Sequence, residues 1–258
     1  MTTEDLSSSR ESSRWFYVWM AGACALVAFG GFAPTYLVPV AAGNFDGPTL
    51  LHLHGILFFS WTLLFVAQTT FAATGLFERH RALGLASISL ATAMLFAGFK
   101  AATYTLEHWI GTEYEAAARA ATIVPVSAIL TFSTLFAAAI ANINRTEWHR
   151  RLMLCASISI LPPAVARVLF VLFAHSGAAR PGLAPPPLNV VELALAPGLA
   201  VDLLVVVAIV RDWRARGRPH PAYLVGASYI IAMQVLRIPL STTTFWYSTT
   251  DWLVRFTS

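Results

Sequence analysis

Charge is scarce in this 258-residue chain: Asp, Glu, Lys and Arg make up 12% of it, against 57% hydrophobic residues. A soluble globular domain carries about twice that share of charge, so a water-facing fold is excluded as the main architecture. Cysteine is limited to Cys24 and Cys155, both inside apolar runs. They read as ordinary core residues, neither a disulfide nor a metal pair. The sequence holds no Gly-rich phosphate loop, no Cys-x-x-Cys and no His-Glu-x-x-His, and no paired carboxylates share a helix face. These absences remove nucleotide-cradling, dithiol and zinc-peptidase chemistry. Lysine occurs once, at Lys100, so the last apolar stretch offers no amine for a retinal Schiff base.

What remains is long apolar sequence. Mean hydropathy is +0.65, and seven stretches of roughly 20 or more residues divide the chain, each long enough to cross a bilayer. Lipid supplies the backbone with no hydrogen-bonding partner, so such stretches must be helical. The expected fold class is therefore all-α, a polytopic integral membrane protein of seven transmembrane helices. Segment one runs about Trp15 to Val40, two about Thr49 to Ala73, and three about Arg81 to Thr103. Segment four runs about Arg119 to Asn142, five about His149 to His175, six about Leu188 to Val210, and seven about Pro221 to Thr243. The serine-rich leader Met1 to Arg14 reads as a short disordered cytoplasmic tail with no cleavable signal. The closing stretch Thr244 to Ser258, with Trp246, Tyr247, Trp252 and Phe256, suits a periplasmic segment at the membrane interface. Pro162-Pro163 and Pro197 are expected to kink segments five and six at mid-membrane.

Arginine sets the expected orientation. Arg10, Arg14, Arg79, Arg81, Arg145, Arg150, Arg151, Arg211, Arg214, Arg216 and Arg218 occupy alternate gaps. The opposite gaps and the tail hold Lys100, Arg119, Arg180 and Arg255. The positive-inside rule puts the N-terminus inside and the C-terminus outside. The net charge of +4 thus belongs to topology and anionic lipid contact, and no nucleic-acid partner is expected.

One internal repeat stands out. Glu78-Arg79-His80-Arg81-Ala82-Leu83 recurs as Glu147-Trp148-His149-Arg150-Arg151-Leu152, and a Ser-Ile-Ser step follows each copy at Ser87 and Ser157. Segments two-three and four-five then read as two copies of one helical hairpin, a common way to build membrane bundles. His80 and His149 share one cytoplasmic depth on different helices, the arrangement two axial ligands require.

Ionisable groups within spans are costly and mark candidate sites. At 1.5 Å of rise per residue, His54, Lys100 and Glu192 lie about 12 Å to the outer side of the midplane. Arg167 and Arg237 lie about 6 to 8 Å to that side, and Asp202 lies near the middle. Matching depths suggest the pairs Arg167 with Asp202 and Arg237 with Glu192. His52 and His54 point about 200° apart on a helix and cannot both hold one metal. His54 heads an aromatic face with Phe58, Trp61 and Phe65, a setting for a haem ligand or for a hydrogen-bonded structural histidine. His108, His175 and His220 sit in or beside loops, and His175 could join an outer site with His52 or His54.

On His52-Leu53-His54-Gly55 with Trp61 and Gln68, His80-Arg81-Ala82-Leu83-Gly84, His149 to Met153, and Pro162-Pro163 with Arg167, the chain resembles a group of uncharacterised bacterial seven-helix inner-membrane proteins. It is also similar to membrane b-type cytochromes with two haems in a four-helix core, although segment four carries no histidine. The leading expectation is a haem- or metal-binding electron-transfer protein with haem b on His80 and His149. His52 or His54 would serve an outer site, and Arg167 and Arg237 would pair with propionates or an anionic substrate. Quinone or another small molecule would be the redox partner. Two alternatives stay open: a small-molecule transporter or sensor with an outer pocket of His54, Lys100, Glu192, Arg167 and Arg237, and a structural or assembly protein.

Overall fold

The computed structural model describes residues 3–173 and 186–257, with side chains described for 14–172 and 186–257. Every regular element among them is helical. Helix α1 (Thr3–Phe32) passes through a π-helical turn, Ala33–Leu37, into α2 (Val38–Ala41). There follow α3 (Thr49–Ala73), α4 (Phe77–Trp109), α5 (Glu115–Ala141), α6 (Thr146–Ser159) and α7 (Pro162–Phe173). The chain ends with α8 (Val190–Leu193), α9 (Leu195–Arg216), α10 (Pro221–Leu240) and α11 (Thr244–Thr257).

Among the described residues, seven stretches are long and apolar enough to cross a membrane. They are Arg14–Ala41, Thr49–Ala73, Phe77–Trp109, Glu115–Ala141, Thr146–Leu172, Val190–Arg216 and Pro221–Leu240. Their order matches the seven expected segments. Phe77–Trp109 is longer at both ends, because Phe77 and the run up to Trp109 continue the helical turn with no breaker. Large apolar side chains such as Trp19, Leu26, Leu63, Leu85 and Leu203 stay exposed on the outside, as a lipid-facing surface requires.

Prolines explain the interruptions. Helix α6 stops at Ser159 and α7 begins at Pro162, where the missing N–H falls in a first turn that has no use for it. The expected break in segment five is therefore present. In segment six the regular helix is interrupted at Ala194, between α8 and α9, and Pro197 lies in the first turn of α9, where its missing N–H is tolerated. Pro34, in segment one, sits at the start of the π turn, an irregularity that the sequence reading did not identify. Gly217, at φ +72, ends α9 in the left-handed conformation that glycine adopts without strain, its N–H bonded to Trp213 O.

Helix α3 packs on α1 and α4, α4 on α5, and α5 on α6. Helix α7 packs on α1 and α9, while α10 closes against α5, α6 and α9. A Cβ added at Gly31 would stand 2.5 Å from the Ala164 carbonyl oxygen, so only glycine lets α1 approach α7 this closely. Trp61 ties the centre together. It is 2% exposed, meets Phe132 and Phe136 edge-on at 4.8 and 5.3 Å, and donates its indole N–H to Ser157 Oγ at 3.3 Å. The closing stretch forms α11, docked on α4 and α5. Trp246 Nε1 donates to Arg119 O at 2.7 Å, and the Thr257 and Thr103 hydroxyls meet at 2.8 Å.

Candidate functional site

Helices α4 and α6 each place a histidine within their first turn, at the end of the bundle that also carries Arg79 and Arg145, the basic end. Each ring turns back over its short connection towards the preceding helix. His80 Nδ1 lies 3.2 Å from Gln68 O in α3, and His149 Nδ1 lies 2.9 Å from Ala139 O in α5. The two hairpins thus repeat one relationship. A carbonyl oxygen only accepts, so Nδ1 carries the hydrogen in both rings. Nε2 is then the nitrogen of each ring that faces no backbone carbonyl and can act as a ligand. The two ring centres stand 6.4 Å apart with planes at 88°.

That spacing can be tested against a bound metal. Two metal–nitrogen bonds of about 2 Å, with about 1.2 Å from each nitrogen to its ring centre, span roughly 6.4 Å in line. Among the described residues no group of three or more His, Cys, Asp or Glu side chains gathers in metal-binding range. Zinc prefers three or four protein ligands, whereas two imidazoles suit an iron whose remaining positions a macrocycle fills. The hydrogen bonds from Nδ1 to carbonyls are the outer-shell anchoring that metal-bound histidines use to hold their rings. The residues present therefore fit haem better than a bare zinc ion. Gln68 lies beside the pair, buried, with Oε1 unpartnered.

Near the same end lies a cluster that sequence reasoning missed. Arg151 is 1% exposed and donates to Asp212 and to Glu147. Arg150 and Arg216 also reach Glu147, at 2.7 and 2.9 Å. The available signal was the spacing of Glu147 three and four residues before the arginine pair, which sets them on one helix face.

The far half of the bundle resolves differently from the expected single pocket. His52 and His54 do face different neighbours. His52 Nδ1 lies 3.0 Å from the Tyr36 hydroxyl and its ring meets Phe45 edge-on. His54 stacks on Phe58 at 4.2 Å, and its Nδ1 is buried without a partner. Arg167 does not pair with Asp202. Its guanidinium lies 4.3 Å over the Phe32 ring, and Nη1 donates to Pro163 O at 3.2 Å, a carbonyl in the first turn after the helix break. Arg237 does not pair with Glu192 either: Glu192 is exposed on the short α8, and the acid whose charge Arg237 feels is Asp202. Lys100 bonds Glu107 at 3.1 Å along its own helix. His175 and Arg180 lie outside the described residues.

Two centres therefore emerge: the paired imidazoles at the basic end, and a polar group around Arg237, Asp202 and Gln234 between α9 and α10. The chain matches no protein-family model, no curated protein and no solved structure.

Proposed function

We propose that this chain is a multi-pass protein of a bacterial inner membrane that holds haem b between His80 and His149 and passes electrons. One observation carries the reading. Two histidines from different helices stand 6.4 Å apart, each with Nδ1 anchored on a backbone carbonyl and Nε2 free to ligate. Bound there, the iron would supply one-electron chemistry at a potential tuned by its two imidazole ligands. The chain's own part is to fix ring tautomer and direction, through Gln68 O and Ala139 O. The motif resemblance to membrane b-type cytochromes supports the same ligand assignment, and the arginine-rich gaps support an orientation with the basic end in the cytoplasm.

Purified protein from haem-supplied cells is expected to show a Soret band that is lost in both His80→Ala and His149→Ala. Colourless wild-type protein, or variants with an unchanged spectrum, would overturn the reading.

A further inference from the structure

Arg237 is 6% exposed, and neither its Nε nor its Nη2 has a hydrogen-bond partner among the described residues. These two donors lie on one edge of the guanidinium plane and point in parallel, the edge that grips a carboxylate with two hydrogen bonds. Buried polar groups are nearly always partnered, so an unmatched two-donor edge within an apolar bundle marks a place where another molecule binds. The surroundings supply the complementary half. Asp202 Oδ2 and Gln234 Oε1 are buried and also unpartnered. Asp202 is close enough for its charge to act on Arg237, yet no direct hydrogen bond satisfies either group's orphaned atoms.

The backbone makes the arrangement local. Gln234 and Arg237 are three residues apart on α10 and share one face; Gly198 and Asp202 are four apart on α9 and share another. The two faces meet, because a Cβ added at Gly198 would stand 3.1 Å from the Gln234 carboxamide. A side chain at 198 would crowd the carboxamide and the space beside it.

We propose that this cleft between α9 and α10 binds a small carboxylate that bears its own hydrogen-bond donor, a 2-hydroxy or 2-amino acid. Its carboxylate lies along the Nε–Nη2 edge of Arg237; an ammonium donates to both Asp202 Oδ2 and Gln234 Oε1, whereas a hydroxyl, with one O–H, donates to one of them. With the amino acid every orphaned atom of the cleft has a partner. Acetate satisfies only the arginine, and chloride cannot use the fork. The site is independent of the histidine pair, and its failure leaves the haem reading untouched. A haem propionate offers the same carboxylate chemistry, so the His80→Ala variant separates the sources: a free acid still binds to it.

The test is equilibrium dialysis of the full-length protein in detergent with radiolabelled lactate and alanine, with acetate and chloride as competitors. Saturable binding of lactate or alanine is expected, displaced weakly by acetate and not by chloride. Arg237→Lys, which keeps the charge and loses the fork, should weaken it about tenfold or more. Arg237→Gln should abolish it. Gly198→Ala leaves Arg237 in place and is expected to weaken binding by crowding Gln234, so it tests the site even if the arginine variants do not fold. Absence of saturable binding of either acid would overturn the proposal and leave the cleft to water. So would binding that persists undiminished in Gly198→Ala and Arg237→Lys.

Discussion

Arg151 and Asp212, sixty-one residues apart, meet with Nη2 2.5 Å from Oδ1, at 1% and 4% side-chain exposure. The second oxygen of Asp212 accepts the His220 N–H at 2.8 Å. The guanidinium lies 5.3 Å from the Tyr223 ring centre, and the Tyr223 hydroxyl meets that of Tyr17 at 3.2 Å. One buried charge pair thereby links α1, α6, α9 and α10 at the basic end. Taking one partner away leaves the other charge buried and uncompensated, which costs about 3–5 kcal/mol. Replacing both by apolar side chains of similar volume costs far less. Asp212→Ala and Arg151→Ala are each expected to destabilise the purified protein by that amount, and Arg151→Met with Asp212→Leu by much less than the sum. Denaturant titration of these three variants and the unsubstituted protein in one detergent measures the difference. Single variants that cost under about 1 kcal/mol would mean the pair behaves as a solvated one.

A pH dependence follows from the neighbouring cap. His220 Nδ1 accepts the Ala222 N–H at 3.1 Å and so closes the start of α10. Burial, then the charges of Arg151 and Arg216, hold its imidazole below the ordinary value of 6.5. A base whose folded value is lowered favours the fold when neutral, because the unfolded chain binds the proton more readily. Its contribution is complete above the unfolded value and is lost as the pH falls through the lowered folded one. Protonation also removes the lone pair on which the cap depends. The unfolding midpoint should therefore drop from about pH 7 to about pH 5. His220→Asn, which caps without titrating, should flatten that part of the profile. An identical slope in the variant would assign the acid sensitivity to other groups.

The spans were legible because lipid leaves a long apolar stretch one conformation, and the histidine pair because a repeated hexapeptide put both rings at one depth. Pairings across the bundle were not legible. Depth along a helix was read as if each segment were one straight rod. Segment six is instead interrupted at Ala194; Glu192 lies exposed on the short α8, and Asp202 is the acid that acts on Arg237. Arg151 looked like one more topology residue beside Arg150, since nothing local says which of two adjacent arginines turns inward. Asp212, between Arg211 and Arg214, looked solvated for the same reason. Proline chemistry was half legible: Pro162-Pro163 ends a helix as expected, while the role of Pro197 depended on where its helix begins.

Orientation can be tested by thiol labelling, because the native cysteines are silent: Cys24 and Cys155 are 2% and 0% exposed. Asn144→Cys places a thiol in the exposed α5–α6 connection at the basic end, and Glu113→Cys places one in the exposed α4–α5 connection at the far end. Successive connections of a chain that threads a bilayer alternate between its two sides, and excess arginine assigns the first to the cytoplasm. A membrane-impermeant maleimide is expected to label Glu113→Cys in intact spheroplasts, and Asn144→Cys only after permeabilisation. The reverse pattern would invert the bundle and put the histidine pair at the periplasmic face. Labelling of both in intact spheroplasts would mean that α5 does not separate two compartments, and the seven-span reading would fall with it.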